Sequence, residues 1–342
     1  MGRAAAVAGL ALAGALATAH PPAAQEIKLK LSHFLPAGHH HHQAVVLPWV
    51  EEIRKRTNGR VDITVFPGAS LCPTSKQFEC ARDGIADLAW APVSPAQGRL
   101  PMTSVIELPF MHRSAAVGAQ MLADLWDKYL KKDHDDTHVL HLGVSPAIHL
   151  HTVARPIRSL EDLKGARLAA TTAVGGDALE MLGAVKMGMP PHALYEAVSQ
   201  KGADGFGMSF EALAPFRLNE VVRHHTEVGL AAAAFALHVN RKKYATLPPD
   251  LRRVLDETTA PAGGYWRRVG EAWDRAEAAA RKALIDGKAE VFVVPRDERR
   301  RWREALRPLD DRWAADLDRR GLPGKALVKE ARDLSVRYGE SE

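Results

Sequence analysis

Four consecutive histidines, His39-His40-His41-His42, follow shortly after His33. Neutral imidazoles are good ligands for zinc, nickel and copper, so the block raises a metal-binding receptor as one reading. Successive helical residues point in different directions, and four in a row cannot all face one ion. The block therefore reads first as the solvated start of a helix, with metal capture by His39 to His42 as the alternative. A second candidate, Gly207-Met208-Ser209-Phe210-Glu211, begins like a nucleophile elbow but lacks its final glycine. No His-Glu-x-x-His, phosphate-loop or dinucleotide glycine pattern accompanies it, and no histidine has a recognisable nucleophile partner. The sequence reads as a binding protein rather than an enzyme and calls for no cofactor.

The elements that position these residues alternate. Ile27 to Leu31 and Val61 to Val65 show the period of strands, and Val45, Val46, Trp49, Val50 and Ile53 between them show that of a helix. Strands at Asp87 to Ala91 and His138 to Leu142 follow, with helices near Lys76 to Arg82 and Ala115 to Tyr129. A second set runs through Ile148 to Val153, a capped helix at Ser159 to Leu163, and strands at Arg167 to Ala170, after Asp204-Gly205, at Val221 to Val228 and at Ala233 to Asn240. Beyond Pro249 the pattern is helical, interrupted near Pro261, Gly263 and Gly264, with one more strand at Val291 to Val294 and two terminal helices. Trp302 and Trp313 on the first of these serve either core or interface. Strands alternating with helices predict largely parallel sheets covered on both faces, and a ligand near the carboxyl ends of the strands.

Bulk properties narrow the class. The 342 residues are 46% hydrophobic and 25% charged, an ordinary globular composition. Basic and acidic residues, 46 against 41, are mixed along the chain, so neither a nucleic-acid groove nor a membrane patch is expected. The densest basic run, Arg296 to Arg303, reads as a solvated helix face. Arg3, the apolar run Ala4 to Ala17 and the small residues Ala17-Thr18-Ala19 read as a cleaved export signal over residues 1–19, which places the mature chain in the periplasm. Export leaves a Cys72–Cys80 disulfide open. Eight residues is too far along one helix, so a bridge needs Cys72 in a loop folded back on a helix capped by Thr74 or Ser75.

Several segments, in order, resemble the solute receptors of tripartite ATP-independent periplasmic (TRAP) transporters, the DctP-type family. They include Leu31-Ser32-His33-Phe34-Leu35-Pro36, Ala81-Arg82-Asp83-Gly84-Ile85-Ala86-Asp87, Glu107-Leu108-Pro109-Phe110, Asp162-Leu163-Lys164-Gly165 and Gly202-Ala203-Asp204-Gly205. The resemblance implies an α/β, two-lobed periplasmic binding protein-like fold with hinge strands and a long helix spanning both lobes. Lobe I is then expected over 20–147 plus 232–262, and lobe II over 148–231 plus 263–342. It also implies a small organic solute as ligand and the transporter's membrane subunits as partners, met only transiently.

Similar receptors usually carry an arginine four residues after the Leu-Lys-Gly segment and clamp a ligand carboxylate with it, a bidentate geometry. Here that position is Ala169, with Arg167 on the same strand face. Where the family often has Gln-Glu-Asn-Pro, this chain has Phe206-Gly207-Met208-Ser209. A third family arginine aligns with His149, which shares a strand face with His151 and is a weaker, pH-dependent substitute. Phe34, Trp90 and Pro92 fall where the first lobe of such receptors faces its ligand. The ligand residues expected are therefore His33, Phe34, Trp90, Pro92, His149, His151, Ala169, Thr171, Phe206 and Met208. Rings and a thioether in place of charge predict an aromatic or otherwise apolar-bodied solute.

Overall fold

The structure is a computed structural model that describes residues 26–96 and 98–340; the expected export signal lies outside the described residues. In β1 (Ile27–His33) Leu29 and Leu31 are buried while Lys28 and Lys30 are exposed, so one face of the strand is committed to a core. The other described strands are β2 (Val61–Phe66), β3 (Leu88–Pro92), β4 (Thr137–Val144), β5 (His149–Thr152), β6 (Arg167–Ala170), β7 (Val185–Gly188), β8 (Gly205–Met208), β9 (His224–Glu227), β10 (Ala234–Asn240) and β11 (Glu290–Val293). They form two sheets, ordered β2-β1-β3-β10-β4 and β11-β9-β5-β8-β6-β7. Each sheet is the centre of one lobe.

Both sheets are mixed, where the alternation predicted largely parallel ones. β1 runs parallel to β2 and β3, but β10 is antiparallel to β3 and β4, and β5 is antiparallel to β8 and β9. The reason is the double crossing between lobes. β4 leaves the first lobe and β10 returns to it beside β4, so the two must run in opposite directions. The crossings themselves are hydrogen-bonded to each other: the Ile148 amide donates to the Ala231 carbonyl at 2.7 Å, and that of Leu230 donates to the Ile148 carbonyl at 2.8 Å. These paired crossings are the hinge strands.

The helix Tyr265–Asp286 spans both lobes. Gly270 lets it approach the first lobe closely, since a Cβ there would come within 2.5 Å of Ala116 backbone atoms. Asp274 then accepts from the Ser114 hydroxyl and the Ala115 and Ala116 amides at the start of the helix Ala115–Trp126. Three residues further, Glu277 accepts from the Phe210 and Glu211 amides at the start of the short second-lobe helix Phe210–Leu213. Carboxylates at helix amino termini satisfy orphan amides and complement the helix dipole.

Cys72 and Cys80 are bonded, with Cα atoms 6.5 Å apart. Cys72 does lie in a loop folded back on the helix Gln77–Asp83, but Thr74 and Ser75 do not cap that helix; the Gln77 side chain holds the loop by donating to the Cys72 carbonyl at 2.6 Å. Trp302 and Trp313 are core residues of the helix Arg296–Arg319. The basic run on that helix is only partly a solvated face: Arg299 and Arg303 turn inward over the Phe110 ring, where burial and neighbouring arginines lower Arg299 to about 10.

Histidines are buried throughout. Desolvation lowers His33, His134 and His141 to about 3 and His112 and His225 to about 4, from an ordinary value of 6.5. A histidine whose folded-state pKa is depressed contributes its full stability above 6.5 and loses it as pH falls toward the folded value. Each costs about 1.4 kcal/mol per pH unit in that window. Glu107 and Asp133, raised to about 8 and about 6 by burial, act in the opposite sense but are fewer. Thermal unfolding followed between about pH 7 and pH 5 will show a steep fall in Tm below pH 6.5. A Tm that stays level to pH 5 contradicts the neutral burial of these rings.

Candidate functional site

The lobes enclose a cleft at the carboxyl ends of β1, β3, β6 and β8, with a cavity of ≈ 400 Å³. Phe34, Pro92 and Phe235 line it from the first lobe, Thr171 and Met208 from the second, and Trp273 from the spanning helix. Phe34 stacks on Phe235 with centroids 5.9 Å apart, and Phe235 stacks on Trp273 at 5.6 Å. Three rings thus make one continuous apolar wall. Facing it are Ala170, Met189 and Pro190, so most of the cleft surface is apolar. No arginine or lysine is among the described residues that line it.

An ionic linkage between the lobes crosses the cleft. His39 and His40 of the first lobe bring Nε2 within 3.1 and 2.9 Å of Glu211 Oε2 from the second. The Ser209 hydroxyl donates to Glu211 Oε1 at 2.7 Å. Burial works against the Glu211 charge, but His39 and His40 outweigh it and hold the carboxyl well below the usual range. His39 Nδ1 accepts the His41 amide hydrogen at 3.1 Å, so its own hydrogen sits on Nε2 and is donated to Glu211. The histidine block is not a solvated helix start: His39, His41 and His42 are buried, His41 accepts from Trp273 Nε1 at 3.0 Å, and His42 pairs with His33 at 2.9 Å. His41 and His42 therefore have separate partners, and His39 and His40 share Glu211.

Of the ten expected ligand residues, Phe34, Pro92, Thr171 and Met208 line the cavity and six do not. His33 is held by His42 behind the wall. Trp90 is also one layer back, sandwiched between His41 and His141 and supporting Phe235 at 5.5 Å. Ala169 and Phe206 are neighbours in register and fully buried in the second-lobe core, while Ala170 faces the cleft. His151 donates from Nε2 to the Met208 carbonyl at 3.1 Å and pairs with His225, and burial, then the His225 charge, keeps it well below its ordinary pKa. His149 Nδ1 accepts from the Val228 and Gly229 amides, and its Nε2 lies 3.4 Å from Glu277, so it fixes the second hinge crossing. Arg167, the one nearby replacement for a clamp, is bound to Asp204 at the surface.

The sequence reading missed Glu107, Glu211, Phe235 and Trp273. Phe235 and Trp273 were visible as apolar positions of a strand and a helix, but their convergence is a property of the tertiary fold. Glu107 and Glu211 lay in segments that had been quoted for other reasons.

Two α/β lobes joined by paired crossings around a solute-sized, largely apolar cleft define a binding receptor of the periplasmic type. The family profile of bacterial extracellular solute-binding proteins, family 7 (DctP), matches residues 31–316, and the chain belongs to that family. It is a periplasmic, non-catalytic solute receptor that serves a TRAP transporter. A TRAP solute-binding protein of Rhodoferax ferrireducens, solved with copurified benzoate, superposes with a TM-score of 0.87 at 27% identity, covering 92% of this chain and 99% of that one. A marine metagenome receptor specific for aromatic acid ligands, solved with metahydroxyphenylacetate, gives 0.87 at 30% identity with the same coverage. The C4-dicarboxylate-binding periplasmic protein DctP of Rhodobacter capsulatus is 25% identical over 329 residues, 94% of this chain and 96% of that protein.

The Glu211 linkage makes a direct prediction. Glu211→Ala leaves His39, His40 and Ser209 without their acceptor and lowers stability by about 1–3 kcal/mol in urea unfolding. A variant as stable as the parent contradicts a working link between the lobes.

Proposed function

We propose that this receptor captures an aromatic or otherwise apolar-bodied organic solute and hands it to the membrane subunits during a transient contact. The observation that carries this reading is the cleft wall of Phe34, Phe235 and Trp273 in a site with no arginine or lysine among its described lining residues. A dicarboxylate or sugar acid entering such a site gives up hydration without gaining a cationic partner, whereas an aromatic ring gains stacking and apolar burial. The relatives solved with benzoate and metahydroxyphenylacetate support the same class of ligand. Phe34, Pro92, Thr171 and Met208 touch the solute from the two lobes. Residues 1–19 serve as the export signal and are removed before His20.

A metal reading has one observation in its favour: His39, His40 and Glu211 offer donor atoms within 4.8 Å of one another. Against it, a metal on His39 Nε2 requires that ring to move its hydrogen to Nδ1 and break the bond from the His41 amide. Stoichiometric zinc binding that is lost in His40→Ala and Glu211→Gln, with organic solutes inert, would establish the metal reading.

Calorimetry with benzoate, 3-hydroxybenzoate, mandelate, succinate and glucuronate tests the solute class. At least one aromatic acid is expected to bind with Kd of about micromolar or tighter, and succinate and glucuronate far more weakly. Phe34→Leu, which keeps apolar volume but removes a ring, weakens the aromatic ligand by about 3- to 10-fold. Tight succinate or glucuronate binding overturns the proposal.

A further inference from the structure

Glu107 ends the single turn Thr103–Glu107 and lines the cleft beside Ala233 and Ala234, fully buried. Its Oε1 accepts the Ala234 amide hydrogen at 2.9 Å, and its Oε2 has no hydrogen-bond partner. A carboxylate with one bare oxygen is costly between apolar walls, and among the described residues no arginine or lysine lines the cleft to offset it. A carboxylic acid meets both conditions: one oxygen accepts, and the other carries a hydrogen that points to a donor role.

We propose that Glu107 anchors the solute in its carboxylic acid form, donating its Oε2 hydrogen to a carboxylate or carbonyl oxygen of the ligand. The proposal rests on the cleft being the solute site. It supplies the polar contact that arginine makes in similar receptors, with a neutral donor in place of a cation. Burial raises Glu107 to about 8, and the Ala234 amide bond works against that rise. Asp133 is held by Thr103 at the start of the same turn, and ionisable groups on neighbouring elements have partners of their own. His39 pairs with Glu211 across the cleft, His238 on β10 pairs with Thr137, and Arg332, on the packed helix Gly324–Arg337, binds Asp310 and the Pro109 and Phe110 carbonyls. Donation needs the proton, so affinity for an anionic ligand holds below about pH 8 and falls above it as Glu107 ionises.

The test is benzoate affinity between about pH 6.5 and about pH 9.5 in the parent, Glu107→Gln and Glu107→Ala. The parent should lose up to about 10-fold per pH unit above its transition. Glu107→Gln keeps an acceptor for Ala234 and a donor for the ligand, so it should bind with a level profile, while Glu107→Ala should lose about 10-fold or more at every pH. Identical profiles for parent and Glu107→Gln, or full affinity in Glu107→Ala, overturn the proposal. If no aromatic acid binds at any pH, the solute reading fails by itself. The Glu107 claim is then decided on ligand-free protein by the carbon-13 carboxyl resonance assigned through Glu107→Gln. A protonated carboxyl at pH 7 supports it, and a carboxylate overturns it.

Discussion

Asp274 and Glu277, one turn apart on the Tyr265–Asp286 helix, accept the amino-terminal amides of two other helices, one from each lobe. The two lobes are thereby referenced to a single rigid rod. That constraint determines what the cleft is. Trp273 projects into the cavity from the residue beside Asp274, and Glu277 also lies against His149, which grips the second hinge crossing through Val228 and Gly229. Rod, hinge and apolar wall are parts of one arrangement, and movement between lobes must be accommodated in the crossings, where only a few backbone bonds hold the chain.

The buried polar groups of the cleft are held mainly by partners within the protein. Glu211 has His39, His40 and Ser209, and Ser145 donates to the Pro146 carbonyl while accepting the Ala233 amide. Glu107 is half satisfied. The rest of the lining is rings, thioethers, prolines and aliphatic residues with the hydroxyls of Thr74, Ser75, Ser94, Thr171 and Thr172. Such a surface discriminates by shape and apolar contact, and it offers an anion no compensating charge.

Much of this architecture was legible in the sequence. Alternation in Ile27 to Leu31 and the helical spacing of Val46, Trp49 and Ile53 placed real elements, because each buries one face against a core. The antiparallel course of β5 and β10 was not legible, since it depends on where the chain crosses between lobes. At the site, the loss of the clamp was read from Ala169, yet Ala169 and Phe206 face the second-lobe core and the cleft begins one or two residues further on. A one-residue change inverts the face of a strand, which is why residue types were easier to read than their orientation. Trp90 and His151 lie one layer behind the cleft surface, and His149 lines a separate cavity beside the hinge.

The most direct measurement of the central claim is the mass of the solute that the receptor carries when purified gently from its native periplasm, released by denaturation. A small compound with an aromatic or apolar body and one hydrogen-bond-accepting group is expected. A retained dicarboxylate or sugar acid would contradict it.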